Sequence, residues 1–413
     1  MNPDSSKPPP GHYRKRDIRT LIWKGEKISN DQVWQLPPSK SHLIRWLLMA
    51  SKSPGRTFLE FNTQPGEDAY SMLDCLKSLG MIVLESQKGW QIDSCEYKNP
   101  ENTLYCGNSA TTLRLLAPML ASLGERVTFD SDDNLKSRDH STLFKMLDSS
   151  GVSLELDELS NSLPFSISGP ITEPIIRVEI NRSSQVLSGL IFSSCTLTHE
   201  VTIETEGELV SQEYLNLSIA IAKQCGMPEY EGILRPWTPN TPDIVQIPVE
   251  ASLQAMAILM SQCHEIRIST PDLEMGEGVG NIDFEKLSGN RVNISDSIDI
   301  ITPLAAIMCI RDGGEIYGAS HARFKESDRI TRTAEMLAKF GLKCEVTQDG
   351  LRMKGGQKPQ SSSEIVDCHG DHRLFMCAAI LASRYGGQIL DDGCYRVSYP
   401  RFMDNLPQPC LPK

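Results

Sequence analysis

The chain has 413 residues, 39% of them hydrophobic and 23% charged, and a formal net charge of −12. This length allows two or more domains with full cores, while no apolar run approaches the roughly 20 residues that cross a membrane. The negative charge argues against nonspecific nucleic-acid binding, and twelve cysteines without a C-x-x-C pair argue against structural metal or disulfides and favour a reducing cytosol.

The N-terminal part predicts a tail followed by the first folded elements. Residues 1–16 are polar and rich in proline, contain no apolar segment of a secretory signal, and predict a disordered tail. Residues 17–37 predict two short strands and a turn. The motif L-P-P-S-K-S at residues 36–41 then opens an apolar helix that ends near Pro54, and a strand follows at residues 57–61.

This arrangement of a polar residue, an apolar helix, a turn and a strand recurs along the chain. The six helix starts are Ser41, Asn108, Ser184, Ser252, Asp299 and Asp371. Further amphipathic helices that end at glycine are predicted at residues 68–80, 138–151, 214–226 and 327–341, with a shorter version at 283–289. The alternation predicts an α/β fold of six βαβαββ-like units, three in each of two domains, with a crossover near residue 245.

The residues at these starts suggest chemistry as well as capping. All six are good N-caps, and capping alone is the interpretation for Ser252. The other starts carry more cations than capping needs, namely Lys40, Arg45, Arg138, Lys325, Arg329 and Arg373. Helix N-termini attract anions, so convergence of these starts on one cleft suits substrates with several carboxylates or phosphates. Lys40, Asp299 and Glu326 are then the candidate proton carriers.

The densest cluster of charge is the stretch F-K-E-S-D-R at residues 324–329, at the start of the predicted helix 327–341, which has two cations, two carboxylates and a hydroxyl. A solvated helix start with its own ion pairs is one interpretation. The similar charges at the other starts favour an anion-binding role. Asp328 is assigned a structural role, either capping the helix or orienting the neighbouring arginine.

Several motifs occur in a characteristic order from about Leu36 to Pro400. They are L-P-P-S-K-S, G-N-S-A-T-T-L-R, L-K-S-R, S-S-Q, S-x-x-Y, D-I-I-T-P-L-A, A-R-F-K-E-S-D-R-I, G-D-H-R and S-Y-P. In order and spacing the chain resembles the 3-phosphoshikimate 1-carboxyvinyltransferase family, the enolpyruvyl-shikimate-phosphate synthases of aromatic amino-acid biosynthesis. The form of the motif around Lys325 is closest to archaeal-type members.

The resemblance implies two inside-out α/β barrel domains, each of three βαβαββ-like units, with the active site in the interdomain cleft. One domain would comprise residues 17–37 plus 246–413, and the other would be the inserted residues 38–245. The implied reaction transfers the enolpyruvyl group of phosphoenolpyruvate to the 5-hydroxyl of shikimate 3-phosphate, without metal or organic cofactor. We expect a cytoplasmic monomer with no nucleic-acid or membrane partner.

The resemblance also implies a role for individual residues. The expected ligands of shikimate 3-phosphate are Lys40, Ser41, Arg45, Ser183, Ser184, Gln185, Ser211, Asp299 and Lys325. The expected ligands of phosphoenolpyruvate are Lys40, Asn108, Ala110, Arg138, Gln185, Arg329 and Arg373. Asp299, assisted by Lys40, would take the proton of the attacking hydroxyl, with Asp296 as its rival. Glu326 or Lys40 would protonate the enolpyruvyl methylene.

Four positions depart from the family pattern. Ala110 replaces a glycine, and its extra methyl predicts weak inhibition by glyphosate, which occupies the phosphoenolpyruvate subsite in this family. Asp139 replaces a proline, and its charge predicts a lower affinity for phosphoenolpyruvate. Val397 replaces a lysine, so either Arg396 substitutes for it or one contact is lost. Ile44 replaces an asparagine.

Some alternatives remain open in the sequence. His372 and His321 are either site residues or structural histidines, and Tyr214 is interpreted as packing. A UDP-N-acetylglucosamine enolpyruvyl transferase is disfavoured because residues 125–140 contain no cysteine. A related transferase acting on another hydroxylated anionic acceptor, or a noncatalytic anion-binding relative, is the remaining alternative, although retention of Lys40, Asp299 and Glu326 argues against the second.

Overall fold

The computed structural model describes residues 18–100, 102–124, 126–157, 162–271 and 291–411. The helices are α1 (Lys40–Lys52), α2 (Glu67–Ser78), α3 (Ala110–Ala121), α4 (Asp133–Lys136), α5 (Ser141–Ser149), α6 (Gln185–Ser193), α7 (Gln212–Gln224), α8 (Gln254–His264), α9 (Ile301–Ile310), α10 (Arg329–Lys339) and α11 (His372–Tyr385).

The strands are short and lie between these helices. They are β1 (Arg19–Trp23), β2 (Gln32–Val33), β3 (Arg56–Glu60), β4 (Ile82–Ser86), β5 (Gly89–Asp93), β6 (Leu104–Tyr105), β7 (Arg126–Asp130), β8 (Ser153–Leu156), β9 (Phe165–Ser168), β10 (Ile175–Glu179), β11 (Val201–Glu206), β12 (Ile233–Leu234), β13 (Ile244–Gln246), β14 (Ile268–Ser269), β15 (Arg291–Asn293), β16 (Gly313–Tyr317), β17 (Cys344–Val346), β18 (Leu351–Lys354), β19 (Ile365–Val366) and β20 (Gly387–Asp391).

The chain forms two compact units. The first unit is the continuous segment Lys40–Ile247, and the second combines Arg16–Ser39 with Pro248–Lys413. Each unit has its own apolar core. None of the helices in the described residues is both long enough and apolar enough to cross a membrane.

Three sheets form in the described residues of the first unit. Their strand orders are β13-β3-β5-β4, β6-β7-β9-β8 and β10-β11-β12. Each sheet contains one parallel pair, and α3 and α6 connect the parallel pairs β6/β7 and β10/β11. Helix α6 approaches α3 closely because residue 189 is glycine. A Cβ at Gly189 would lie 2.3 Å from the backbone oxygen of Arg114.

The second unit repeats this plan with the strand orders β15-β16-β18-β17, β1-β20-β19 and β14-β2 among its described residues. Helix α9 connects the parallel pair β15/β16, and α11 connects β19/β20. Both helices are apolar on nearly every side and are buried, as expected for helices at the centre of a domain. The α/β fold predicted from alternating helices and strands is confirmed.

Several predicted details of the helix starts are wrong. The N-cap of α3 is Ser109, whose side chain accepts from the Thr112 N–H, and not Asn108. Arg138 does not open a helix, because it lies in the turn between α4 and α5. Asp299 and Ser252 lie in 3-10 turns that precede α9 and α8, so neither side chain caps the helix that follows.

Other details agree with the structure or lie outside it. Asp371 caps α11 by accepting from the N–H groups of Arg373 and Leu374. Asp328 caps α10 by accepting from the Thr331 N–H, as predicted. The predicted tail at 1–16 and the short helix at 283–289 lie outside the described residues.

Candidate active site

The first unit brings three of the predicted serines to the starts of α6 and α7. Ser184 Oγ donates to the backbone oxygen of Ser211 at 3.0 Å, and Ser183 Oγ accepts from the Gln185 N–H at 3.2 Å. Ser211 has a φ of 54°, in the left-handed region that a residue with a Cβ rarely adopts. A hydrogen bond therefore joins the two helix starts, and their serine hydroxyls lie beside helix N-termini. This arrangement suits an oxyanion.

Arg45 lies in the same unit and is almost entirely buried. Its guanidinium donates to Ser218 Oγ at 2.8 Å, to the Ser41 carbonyl at 3.0 Å and to the Tyr214 carbonyl at 3.3 Å. Burial lowers the pKa of Arg45 to about 10, and the nearby Tyr214 partly offsets this effect. Three of the five guanidinium N–H groups are committed to these protein oxygens, so Arg45 is held in one orientation.

Lys40 is oriented by an acid that the sequence analysis did not select. Its Nζ lies 2.9 Å from Asp68 Oδ2, in the first turn of α2. Asp68 is buried, so the ion pair is shielded from water and is stronger than a surface pair. Acidic residues at helix starts are common, and only the fold reveals which of them faces Lys40.

Arg138 and Asn108, which the sequence assigns to the same ligand, are in direct contact. The Arg138 guanidinium donates to Asn108 Oδ1, and it also donates to Asn134 Oδ1 through Nη2 at 2.8 Å and Nε at 3.2 Å. The sequence motifs did not point to Asn134. It lies in α4, only four residues before Arg138, and this closeness in sequence is the signal that could have found it.

Gln185 is held by residues of α3. Its side-chain oxygen accepts from Arg114 Nη1 at 3.0 Å, and its side-chain nitrogen donates to Thr111 Oγ1 at 2.9 Å. Arg114 also donates to the Asp139 carbonyl at 3.3 Å. The carboxylate of Asp139 pairs with Arg182, so the charge that was expected to weaken anion binding beside Arg138 is compensated within the unit.

The second unit centres on Arg329, whose side chain is fully buried. Its guanidinium donates to Asp299 Oδ1 at 2.8 Å, to Asp371 Oδ2 at 2.9 Å and to Glu326 Oε2. Burial alone would lower the pKa of Arg329, but the three surrounding carboxylates outweigh it and raise that pKa far above its usual range. The Arg329 cation thus binds both carboxylates that were predicted to transfer protons, Asp299 and Glu326.

Glu326, Asp371 and His372 also place one possible metal-ligand atom each within 4.8 Å of one another. Arg329 already donates to both of these carboxylates. A divalent cation at this place would have to displace a guanidinium that is bonded to three carboxylates. The arrangement therefore favours the arginine as the resident cation.

Arg373 lies at the start of α11 and is buried. Its Nη2 donates to Ser252 Oγ at 2.7 Å, and its Nε donates to His372 Nε2 at 3.1 Å. Its Nη1 is buried and has no hydrogen-bond partner among the described residues. The interpretation of Ser252 as a cap is wrong, because its hydroxyl orients Arg373. The sequence could not show this contact across 121 residues.

His372 connects the two arginine groups of this unit. Because its Nε2 accepts from Arg373, its Nδ1 carries the proton of the neutral ring, and this Nδ1 lies 4.0 Å from Glu326 Oε1. The histidine left open in the sequence therefore lies between Arg373, an anion-binding candidate, and Glu326, a proton-transfer candidate.

Lys325 precedes α10 and is half-buried. It influences His321, which lies in the preceding 3-10 turn. Burial and the charge of Lys325 lower the pKa of His321 to about 4, while Asp299 acts in the opposite direction. His321 is therefore neutral at pH 7 and lies within electrostatic range of Lys325 and Asp299.

Three of the positions that depart from the family pattern carry buried apolar side chains. Ile44 and Val397 are buried in the cores of their units. Arg396 is exposed, and its guanidinium lies 5.6 Å from the centre of the Tyr395 ring. Ala110 is the first residue of α3 and is buried, and its N-cap neighbour Ser109 separates it in sequence from Asn108.

Comparison with known proteins extends over nearly the whole chain. The profile of the family described as EPSP synthase (3-phosphoshikimate 1-carboxyvinyltransferase) matches residues 24–229 and 245–406. The chain is 29% identical over 402 residues to the 3-phosphoshikimate 1-carboxyvinyltransferase of Methanocorpusculum labreanum, covering 90% of this chain and 94% of that protein. The enzyme of that name from Saccharolobus solfataricus is also 29% identical, over 410 residues, covering 92% and 96%.

Solved structures show the same fold. The EPSP synthase from Acinetobacter baumannii superimposes with a TM-score of 0.73 at 19% identity, covering 94% of this chain and 97% of that one. The enolpyruvyl transferase NikO from Streptomyces tendae superimposes with a TM-score of 0.67 at 12% identity, covering 95% and 97%.

Proposed function

Because the chain belongs to the EPSP synthase (3-phosphoshikimate 1-carboxyvinyltransferase) family, we infer that it transfers the enolpyruvyl group of phosphoenolpyruvate to the 5-hydroxyl of shikimate 3-phosphate. The products are 5-enolpyruvylshikimate 3-phosphate and phosphate. The archaeal relatives that share this enzyme name over most of their length support the same activity. The observation that carries the proposal is the Arg329 cluster, because one buried guanidinium there orients both Asp299 and Glu326.

We propose that shikimate 3-phosphate is held by Ser183, Ser184, Ser211 and Lys325 at its phosphate. The hydrogen-bonded starts of α6 and α7 support this assignment, since two helix N-termini and several serine hydroxyls lie together there. Ser41 and Arg45 are assigned to the ring carboxylate. Arg45 retains two N–H groups beyond those bonded to protein oxygens, enough for one forked contact.

The ligands proposed for phosphoenolpyruvate are Lys40, Asn108, Ala110, Arg138, Gln185, Arg329 and Arg373. Support comes from the way each cation is oriented by neighbours: Asp68 for Lys40, Asn108 for Arg138 and Ser252 for Arg373. Arg373 Nη1 is a buried donor without a partner in the part of the chain that the structure describes. Such a donor costs about 1–3 kcal/mol until an acceptor arrives, so an anionic ligand would gain this amount on binding.

The chemical step requires a base for the acceptor hydroxyl and an acid for the methylene carbon of phosphoenolpyruvate. We assign Asp299, assisted by Lys40, as the base when the 5-oxygen bonds to the central carbon. Glu326, or Lys40, donates a proton to the methylene, which becomes a methyl group in a tetrahedral intermediate. Removal of one methyl proton and departure of phosphate then restore the enol ether.

The Arg329 cluster suggests how the two carboxylates become available. Both are bonded to the Arg329 guanidinium. An incoming carboxylate competes for the same N–H groups and weakens those bonds. Loss of its cationic partner makes a carboxylate more basic, so ligand binding itself would prepare Glu326 and Asp299 for proton transfer.

Three further features complete the proposal. We propose that the domains consist of residues 17–37 plus 246–413 and of residues 38–245. A cytosolic location is supported by the absence of disulfides, since all twelve cysteines are free thiols. We also propose a monomer, which sedimentation analysis of the purified protein tests.

A phosphate-release assay with purified protein tests the function. We expect release only when shikimate 3-phosphate and phosphoenolpyruvate are both present. Release from phosphoenolpyruvate with a different hydroxylated anion, but not with shikimate 3-phosphate, would identify a related transferase with another acceptor. Binding of both ligands without release, in protein that is folded, would identify a noncatalytic relative.

A further inference from the structure

Two cysteines of the second unit, Cys309 and Cys344, bring their sulfur atoms to 3.4 Å. Cys309 is the second-last residue of α9 and is buried, whereas Cys344 is the first residue of β17 and is half-buried. A disulfide has a sulfur–sulfur distance of about 2.05 Å. The thiols therefore need to approach by little more than an ångström to become bonded.

Hydrogen bonds of Gln357 hold the two cysteines together without help from the sulfur atoms. The Gln357 N–H donates to the Cys309 carbonyl at 3.0 Å. The Gln357 side chain accepts from the Lys343 N–H at 2.7 Å and donates to the Lys343 carbonyl at 3.0 Å. One glutamine thus joins the end of α9 to the residue that precedes Cys344.

The position of Cys344 allows the movement that bonding requires. Strand β17 is at the edge of the sheet β15-β16-β18-β17 and pairs with β18. An edge strand has neighbours on one side only, so its first residue can shift without breaking a second ladder. The last turn of a helix is likewise less constrained than its middle.

The environments of the two sulfurs differ in the way that a reactive pair requires. Either of the two thiols could donate the hydrogen bond between them. A hydrogen bond from the Cys309 thiol lowers the pKa of Cys344, although burial opposes this effect. The same hydrogen bond, together with burial, raises the pKa of Cys309. The more accessible cysteine is therefore the better nucleophile, and the buried one is placed to react second.

We propose that Cys309 and Cys344 form a redox modification site that hydrogen peroxide converts reversibly into a disulfide. The Cys344 thiolate attacks one peroxide oxygen, the O–O bond breaks, and the leaving hydroxide takes up the proton that the thiol lost. The Cys309 sulfur then attacks the resulting sulfenic sulfur, the S–O bond breaks, and a second water leaves. Two thiols are oxidised, and one peroxide is reduced to two waters.

The bond would close a loop around the charged stretch of this unit. Residues 310–343 lie between the two cysteines and carry Lys325, Glu326 and Arg329. The helix that contains Cys309 also begins just after Asp299. The inference concerns the thiols alone and does not depend on the assigned reaction.

The test uses the full-length protein treated with hydrogen peroxide, alkylated with N-ethylmaleimide and digested without reductant for mass spectrometry. We expect a peptide pair joined through Cys309 and Cys344, with a mass loss of about 2 Da that dithiothreitol reverses. Exposed Cys410 reports that oxidant reached the protein, and Cys75 with Cys106, which are both buried, form the control pair that should stay reduced.

Variants decide whether the proposed geometry is responsible. Cys344→Ser should abolish the cross-link, and Gln357→Ala should slow its formation while leaving Cys410 oxidation unchanged. The proposal is overturned if Cys410 is fully oxidised while Cys309 and Cys344 stay reduced. A cross-link from Cys309 to another cysteine, or oxidation of Cys344 beyond the sulfenic acid without a cross-link, would also overturn it. The wild-type result stands even if a variant folds poorly.

Discussion

Replacing Ser252 by alanine tests whether the arginine at the start of α11 is held ready for an anion. The Ser252 hydroxyl accepts from Arg373 Nη2 at 2.7 Å and donates to Glu250 Oε1 at 2.6 Å, with all three residues buried. Alanine removes that acceptor and leaves Arg373 held by the hydrogen bond to His372 Nε2.

The expected loss of binding free energy follows from the energy of a hydrogen bond to a charged group, about 1.5–3 kcal/mol. If this energy is lost from the complex with phosphoenolpyruvate, the Michaelis constant for that substrate rises by about 10-fold to 150-fold. Part of the loss will appear instead as lower stability of the free protein, because a buried N–H group is left unpaired. The Michaelis constant for shikimate 3-phosphate should change little.

The assay is phosphate release at saturating shikimate 3-phosphate and varied phosphoenolpyruvate. Ser252→Thr retains a hydroxyl and should preserve most of the affinity. Ser193→Ala is the control for removing a buried serine, since that hydroxyl donates within its own helix to Leu190. A folded Ser252→Ala protein with wild-type constants for phosphoenolpyruvate would refute the role assigned to Arg373.

Three further predictions concern the base, the glyphosate response and acid stability. Asp299→Asn should nearly abolish turnover while sparing shikimate 3-phosphate binding in calorimetry, since the amide cannot accept the proton. Wild-type protein should be inhibited only weakly by glyphosate, and Ala110→Gly should increase inhibition by removing the methyl group at the start of α3. Burial, with the charge of Arg114, lowers the pKa of His140 to about 4. The unfolded chain therefore binds this proton first as the pH falls below about 6.5, and His140 alone should lower the free energy of unfolding by about 2 kcal/mol at pH 5 in urea titrations.

Each of these three predictions would be contradicted by a specific result. Substantial turnover by Asp299→Asn would transfer the role of base to another residue, with Asp296 as the first to test. Potent competitive inhibition of the wild type by micromolar glyphosate would contradict the steric argument for Ala110. If His140→Gln shows the same loss of stability between pH 7 and pH 5 as the wild type, His140 does not contribute to acid sensitivity.

The α/β fold could be predicted because its structural repeat follows from local sequence patterns. Each of the six repeats combines an apolar helix, a glycine turn and a short strand, and these patterns depend on residues close together in the sequence. The strand pairing was not predictable to the same extent. For example, β13 pairs with β3, and β1 pairs with β20, across long stretches of chain.

The candidate site divides in the same way. Arg138, Arg329 and Arg373 could be selected from their motifs, but the groups that orient them are distant in sequence or chemically unremarkable. Asp68 and Ser252 are examples, since an acid in a first turn and a serine before a helix usually act locally. Their contacts with Lys40 and Arg373 arise from the packing of separate helices.

The most direct test of the central claim follows the phosphorus resonances of a reaction mixture by NMR. With wild-type protein, shikimate 3-phosphate and phosphoenolpyruvate should disappear in equal amounts, and 5-enolpyruvylshikimate 3-phosphate and inorganic phosphate should appear in equal amounts. An unchanged mixture with folded protein, or phosphate formed from phosphoenolpyruvate while shikimate 3-phosphate persists, would contradict enolpyruvyl transfer to this acceptor.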